Sequence, residues 1–136
     1  VFRSAFLALY LLSGLMGNLF VLVFSPLAVA AGASTALFGI FGAIASLRFI
    51  ARSPYIHYLS QRYTSLILIN ILFSFMPGIS LAGHLGGLVG GGLLAFVFPV
   101  YGEQDSVKKS WRLVALFLYT AGAILLYAWP LLAQPF

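Results

Sequence analysis

All seven lysines and arginines of this chain fall into three clusters, and the clusters bracket every second apolar run. Arg3 precedes the first run. Arg48, Arg52 and Arg62 lie between the second and third, and Lys108, Lys109 and Arg112 lie between the fourth and fifth. The runs cover about 4–24, 30–47, 64–78, 81–100 and 112–132. A helix crossing a bilayer needs roughly 20 mostly apolar residues, so the pattern predicts five spans. Charged residues make up 7% of the chain and hydrophobic residues 62%, far from the roughly 25% charged typical of soluble domains. Pro26, Pro54, Pro77, Pro99 and Pro130 sit at or near the ends of the runs, where a missing N–H does least harm. The expected fold is an all-α, polytopic transmembrane helix bundle in which residues 1–136 form one domain.

Lys and Arg in short loops stay on the cytoplasmic side, so span one starts inside and the C-terminus ends outside. This topology puts the starts of spans two and four at the exterior face. The net charge of +5 fits dispersed cations beside membrane spans and anionic headgroups better than nucleic acid. No nucleic-acid partner is expected.

The side-chain inventory removes most hydrolytic chemistry. There is no cysteine, so thiolate nucleophiles and thiolate metal sites are excluded. Glu103 and Asp105 are the only carboxylates and share one cytoplasmic loop, so neither an aspartyl dyad nor a His-Glu-x-x-His zinc helix can form within the membrane. Lys108 and Lys109 lie on the wrong side for a Ser-Lys pair. No metal and no cofactor is implied. A Ser-His pair remains, and two glycine-framed segments carry its members: Gly32-Ala33-Ser34-Thr35 at the start of span two and Gly83-His84-Leu85-Gly86-Gly87 at the start of span four. Histidine is costly in hydrocarbon, and an intramembrane copy marks a functional site.

Helical spacing aims His84 at a neighbour. Gly87 and Gly91 follow it at three and seven residues, and Ala95 continues the row, so that face is almost bare and admits a second helix backbone to backbone. Span two has the matching stripe, with Thr35, Gly39, Gly42, Ala43 and Ser46. Phe38, one turn below Ser34, is placed to pack its ring against His84. Asn18 and Asn70 read as interhelical hydrogen-bonding residues, His57 as an interfacial residue of the basic loop, and Trp111, Tyr127 and Trp129 as interfacial anchors.

At these residues the chain resembles the rhomboid family of intramembrane serine proteases. The family's Gly-x-Ser signature matches Gly32-Ala33-Ser34, and its His-x-x-Gly-x-x-x-Gly signature matches His84, Gly87 and Gly91. The likeness runs along all five spans, including Gly17-Asn18 and the Phe-Met-Pro-Gly-Ile-Ser approach at 75–80. It implies the third to sixth helices of the rhomboid core plus a seventh. It also implies a Ser34–His84 dyad and an acyl-enzyme on Ser34, with the Ser34 backbone, Gly32 and Phe38 supporting the site. The implied substrates are single-span membrane proteins, and the implied location is a bacterial plasma membrane with the dyad toward the exterior. The family's first two helices, with their Trp-Arg loop and His-x-x-x-Asn, have no counterpart here. With Val1 at the start, the chain reads as an excerpt whose missing N-terminal helices complete the oxyanion hole, and alone it is expected to be a poor protease. Two other classes are compatible with the composition: an inactive rhomboid-like protein that binds transmembrane clients, and a piece of a transporter. Retention of Ser34 and His84 disfavours the first, and the absence of other mid-span ionisable groups disfavours the second.

Overall fold

The computed structural model describes residues 2–25, 33–98 and 106–134; Gly32 and the two carboxylates, Glu103 and Asp105, lie outside them. Among the described residues there are five α-helices and no strand: α1 Phe2–Phe24, α2 Ser34–Ile50, α3 Pro54–Phe73, α4 Leu81–Val97 and α5 Lys109–Leu132. Two of them, over Arg3–Phe24 and Lys109–Leu132, are long and apolar enough to cross a membrane. The other strongly apolar helices, α2 and α4, have 17 residues each, about 25 Å at 1.5 Å per residue and the lower end of the range for a span.

Span three is the one whose bounds differ most from the expectation; the others shift by two to four residues at one or both ends. Hydropathy locates an apolar run at 64–78, whereas the helix occupies Pro54–Phe73. It begins ten residues earlier because Pro54 holds the first helical position after Ser53, where proline's fixed φ is already helical. The first three turns carry Tyr55, His57, Tyr58, Gln61 and Arg62, which hydropathy rejects but backbone hydrogen bonding does not. Arg62 therefore lies on the helix and donates to Tyr58 Oη at 2.9 Å, and Arg48 of α2 donates to Thr64 Oγ1. His57 lies within the first turns of α3, its Nε2 against the Ala51 carbonyl. The helix stops at Phe73, well before 78. Ser74 closes its last turn, turns follow through Pro77, and Gly78 takes a positive φ of 83°, a region open to glycine at little cost.

α4 is the central helix, and its glycines explain why. Gly87 and Gly91 face α2: a Cβ on Gly87 would run into the Thr35 carbonyl oxygen, and one on Gly91 into the Gly39 carbonyl oxygen. Gly42 closes the same seam against the Leu88 carbonyl. Gly86 and Gly90 face the other way, where a Cβ would meet Phe20 and Met16 of α1 at 2.6 and 2.7 Å. Gly17 returns the contact from α1 toward the Gly83 carbonyl at 2.7 Å. The sequence reading identifies the first face; the second, against α1, comes from the structure. Lipid offers no hydrophobic force between helices, so close backbone packing of this kind holds them together. Met16, Leu94 and Tyr119 form the buried apolar cluster where α1, α4 and α5 meet, and Tyr119 Oη donates to the Leu12 carbonyl at 2.6 Å.

The pairings fix the helix directions. Thr35 meets Gly87, Gly39 meets Gly91 and Ser46 meets Gly92, in rising order, so α2 and α4 are parallel, while Met16 meets Gly90 and Phe20 meets Gly86, in falling order, so α1 runs against α4. Ser34 and His84 therefore share one end of the bundle. Arg48 lies in the last turn of α2, and Lys109 opens α5, so these cations lie at the other end. Trp111 and Trp129, both 61% exposed, mark opposite ends of α5.

The glycine seam predicts a contrast between two substitutions. Gly91→Ala places a methyl group against backbone that has no room to yield, which costs about 1–3 kcal/mol when a packed site is overfilled. Gly122→Ala meets nothing within 4 Å and is expected to be neutral. Thermal unfolding of the full-length protein in detergent checks this, and equal unfolding temperatures for the two variants would contradict it.

Candidate active site

Ser34 opens α2, and Ala33, the capping residue, supplies no side-chain cap. Serine at a helix start usually serves as that cap. Here the hydroxyl is directed elsewhere. His84 Nε2 lies 3.1 Å from Ser34 Oγ, across fifty residues of sequence. The His84 side chain is 8% exposed whereas Ser34 is exposed, so the imidazole is enclosed and the hydroxyl is accessible.

His84 owes its place to a well-formed helix start. Ser80 caps α4, its Oγ accepting from the Gly83 N–H at 3.1 Å, and the His84 N–H donates to the Ser80 carbonyl at 3.1 Å as the first helical bond. Phe38 stacks flat on the imidazole, with centroids 4.0 Å apart and planes 12° apart, and is itself braced edge-on by Phe41 at 5.4 Å. The sequence-based placement of Phe38 one turn below Ser34 thus agrees with the structure. Gly39, Gly83, Gly87 and Gly91 all lie in the close packing beneath the pair.

One contact has no sequence signal. Ser74 Oγ lies 2.6 Å from His84 Nδ1, the ring nitrogen opposite Ser34. A single serine at the end of an apolar run, ten residues before the histidine, carries no motif, and only the turn through Pro77 and Gly78 brings it back to the ring. Asn70, expected to bond between helices, instead donates within α3, to the Leu66 carbonyl at 2.8 Å. Asn18 is exposed and borders a groove of about 300 Å³ with Tyr10, Gly14, Ala33 and Ala36. His57 lies at the far end of α3 from the pair.

Chemically, a histidine nitrogen within hydrogen-bond reach of a serine hydroxyl is the arrangement of nucleophilic acyl transfer. A model of the Rhomboid domain matches residues 2–100. The chain belongs to the rhomboid family. Its relatives include the Rhomboid protease GluP of Bacillus subtilis, 38% identical over 87 residues (63% of this chain, 17% of that protein). RHOMBOID-like protein 1 of Arabidopsis thaliana is 36% identical over 99 residues (69% and 25%), and the Rhomboid-like protease 3 of Toxoplasma gondii is 32% identical over 113 residues (80% and 42%). The chain thus spans less than half the length of each of these relatives. No solved structure matches. The domain model covers α1 to α4, and α5 lies beyond the residues it matches. The chain is therefore an integral membrane protein of a family with named proteases, found in bacteria and eukaryotes alike.

The stacked ring yields a prediction. An aromatic pair contributes about 0.5–1.5 kcal/mol beyond its buried area, so Phe38→Leu is expected to slow modification of Ser34 by a fluorophosphonate about threefold to tenfold, with Phe38→Tyr near wild type. Equal labelling rates for all three proteins would show that the stack does not hold the ring.

Proposed function

We propose that the full-length protein is an intramembrane serine endopeptidase in which Ser34 is the nucleophile and His84 the general base and acid. The observation that carries this reading is the 3.1 Å approach of His84 Nε2 to Ser34 Oγ between the two glycine-framed signatures. In the acylation step Ser34 Oγ attacks the scissile carbonyl carbon as its proton passes to Nε2. The tetrahedral oxyanion forms beside the uncapped start of α2, where backbone N–H groups lack intrahelical acceptors. The C–N bond then breaks, and His84 returns the proton to the leaving amine. Water enters, His84 takes its proton, and hydrolysis of the ester restores Ser34.

The substrates proposed are transmembrane segments of other membrane proteins. A bond buried in hydrocarbon must reach Ser34 from the lipid, and a helix with small or helix-breaking residues can unwind to present it. The cation distribution supports a site that opens on the non-cytoplasmic side, which in a bacterium is the exterior face of the plasma membrane.

Groups that act as one unit are non-additive when removed. Ser34→Ala, His84→Ala and the double variant of the full-length protein are accordingly expected to cleave a transmembrane substrate at the same residual rate. A double variant much slower than either single one would mean that the two residues act separately.

A further inference from the structure

Ser74 is the only side chain described at the far nitrogen of His84, and it is 2% exposed. Its own bonds restrict what it can do there. Ser74 ends α3, with its N–H shared between the Asn70 and Ile71 carbonyls at 3.1 and 3.0 Å. Its hydroxyl donates to the Asn70 carbonyl at 2.9 Å. A serine hydroxyl has one proton and two lone pairs. With the proton directed at Asn70, the oxygen meets Nδ1 at 2.6 Å as an acceptor, and two lone pairs cannot face each other there. Nδ1 must then carry the ring proton.

That assignment has a consequence at the opposite edge of the ring. A neutral imidazole holds one proton, so Nδ1–H leaves Nε2 with a free lone pair toward Ser34. In the other tautomer Nε2–H would point at Ser34 Oγ and could not accept its proton. We infer that Ser74 is a positioning residue for the proposed dyad, accepting a hydrogen bond from His84 Nδ1–H and so holding the ring in the tautomer that can deprotonate Ser34. Rhomboid chemistry here would run on a Ser74–His84–Ser34 relay, with a hydroxyl anchored by a helix-end carbonyl in the place a carboxylate occupies in a Ser-His-Asp triad. The proton that moves is the Ser34 proton, to Nε2 and on to the leaving amine. The Nδ1 proton stays on the ring throughout. The last turn of α3 thereby becomes part of the site, and movement of the 75–80 connection would carry Ser74 with it.

This inference rests on the dyad reading above, and the test separates the two. The full-length protein, its Ser74→Ala and Ser74→Cys variants and its Ser34→Ala variant are compared for transmembrane-substrate cleavage and for fluorophosphonate labelling. In parallel, the His84 ring is read by ¹⁵N NMR of histidine-labelled protein in micelles, its signal assigned by its loss in His84→Ala. A neutral hydrogen bond of ordinary strength is equivalent to about tenfold, so both Ser74 variants are expected to lower kcat and labelling rate about tenfold with KM nearly unchanged. The ring proton, on Nδ1 in the wild type, would distribute over both nitrogens. A purely structural role for Ser74 leaves the tautomer unchanged, and that result, or wild-type labelling by either variant, overturns the inference. Ser74→Cys keeps nearly the serine volume and gives the same readouts if Ser74→Ala does not fold. Persistent cleavage by Ser34→Ala would instead overturn the dyad itself.

Discussion

Everything in this bundle depends on two helices coming close enough for backbone to touch backbone. Between α2 and α4 the contacts are carbonyl oxygens against glycine Cα positions, Thr35 on Gly87 and Gly39 on Gly91. Any β-carbon at Gly87 or Gly91 would force the axes apart. The consequence appears one and two turns higher. His84 stands three residues before Gly87, and Ser34 five before Gly39, so the depth and spacing of the seam set the depth and spacing of the Ser34 and His84 side chains. A misplacement of about 1 Å can cost roughly 10²-fold in rate, and only a rigid seam keeps a 3.1 Å contact at the tip of two helix ends.

Hydroxyl groups complete the frame. Ser46 donates to the Gly92 carbonyl at 3.2 Å, Ser60 to the Ile44 carbonyl at 2.7 Å and Tyr119 to the Leu12 carbonyl at 2.6 Å. Each joins two helices through a carbonyl already used within its own helix. In a membrane such bonds contribute on the order of 1 kcal/mol, less than the close packing supplies, but they are directional. They fix rotation where glycine surfaces, being smooth, do not. α3 is joined to α2 by the Ser60 and Arg48–Thr64 bonds and to α4 by the Ser74 hydroxyl, whereas α4 packs through glycine on two faces.

What could be read from sequence follows this division. The positions of α1, α2, α4 and α5 follow from apolar run length, and the shared depth of Ser34 and His84 follows from where the cations lie; the Gly87–Gly91 face and the place of Phe38 one turn from Ser34 follow from helical periodicity, because each concerns residues one or two turns apart on a single helix. Two features did not yield to that reasoning. The polar half of α3 escaped because apolarity locates a membrane and not a helix, and helix formation continues wherever backbone groups pair. Ser74 escaped because its role is created by the path of the chain through Pro77 and Gly78, which returns a helix end to a ring ten residues on. The Gly86 and Gly90 face against α1 is also periodic, but in so glycine-rich a stretch periodicity alone does not tell which helix each face meets.

The central claim is that the seam aims one serine, among several in the bundle, at a base. Mapping the fluorophosphonate adduct by peptide mass spectrometry in the full-length protein tests it most directly, with Gly91→Val alongside. The account predicts a single adduct on Ser34 in the wild type and its loss in Gly91→Val, while the other serines, including Ser46, Ser60, Ser74 and Ser80, stay unmodified in both. An adduct on any of those serines in place of Ser34, or undiminished Ser34 labelling in Gly91→Val, would contradict it.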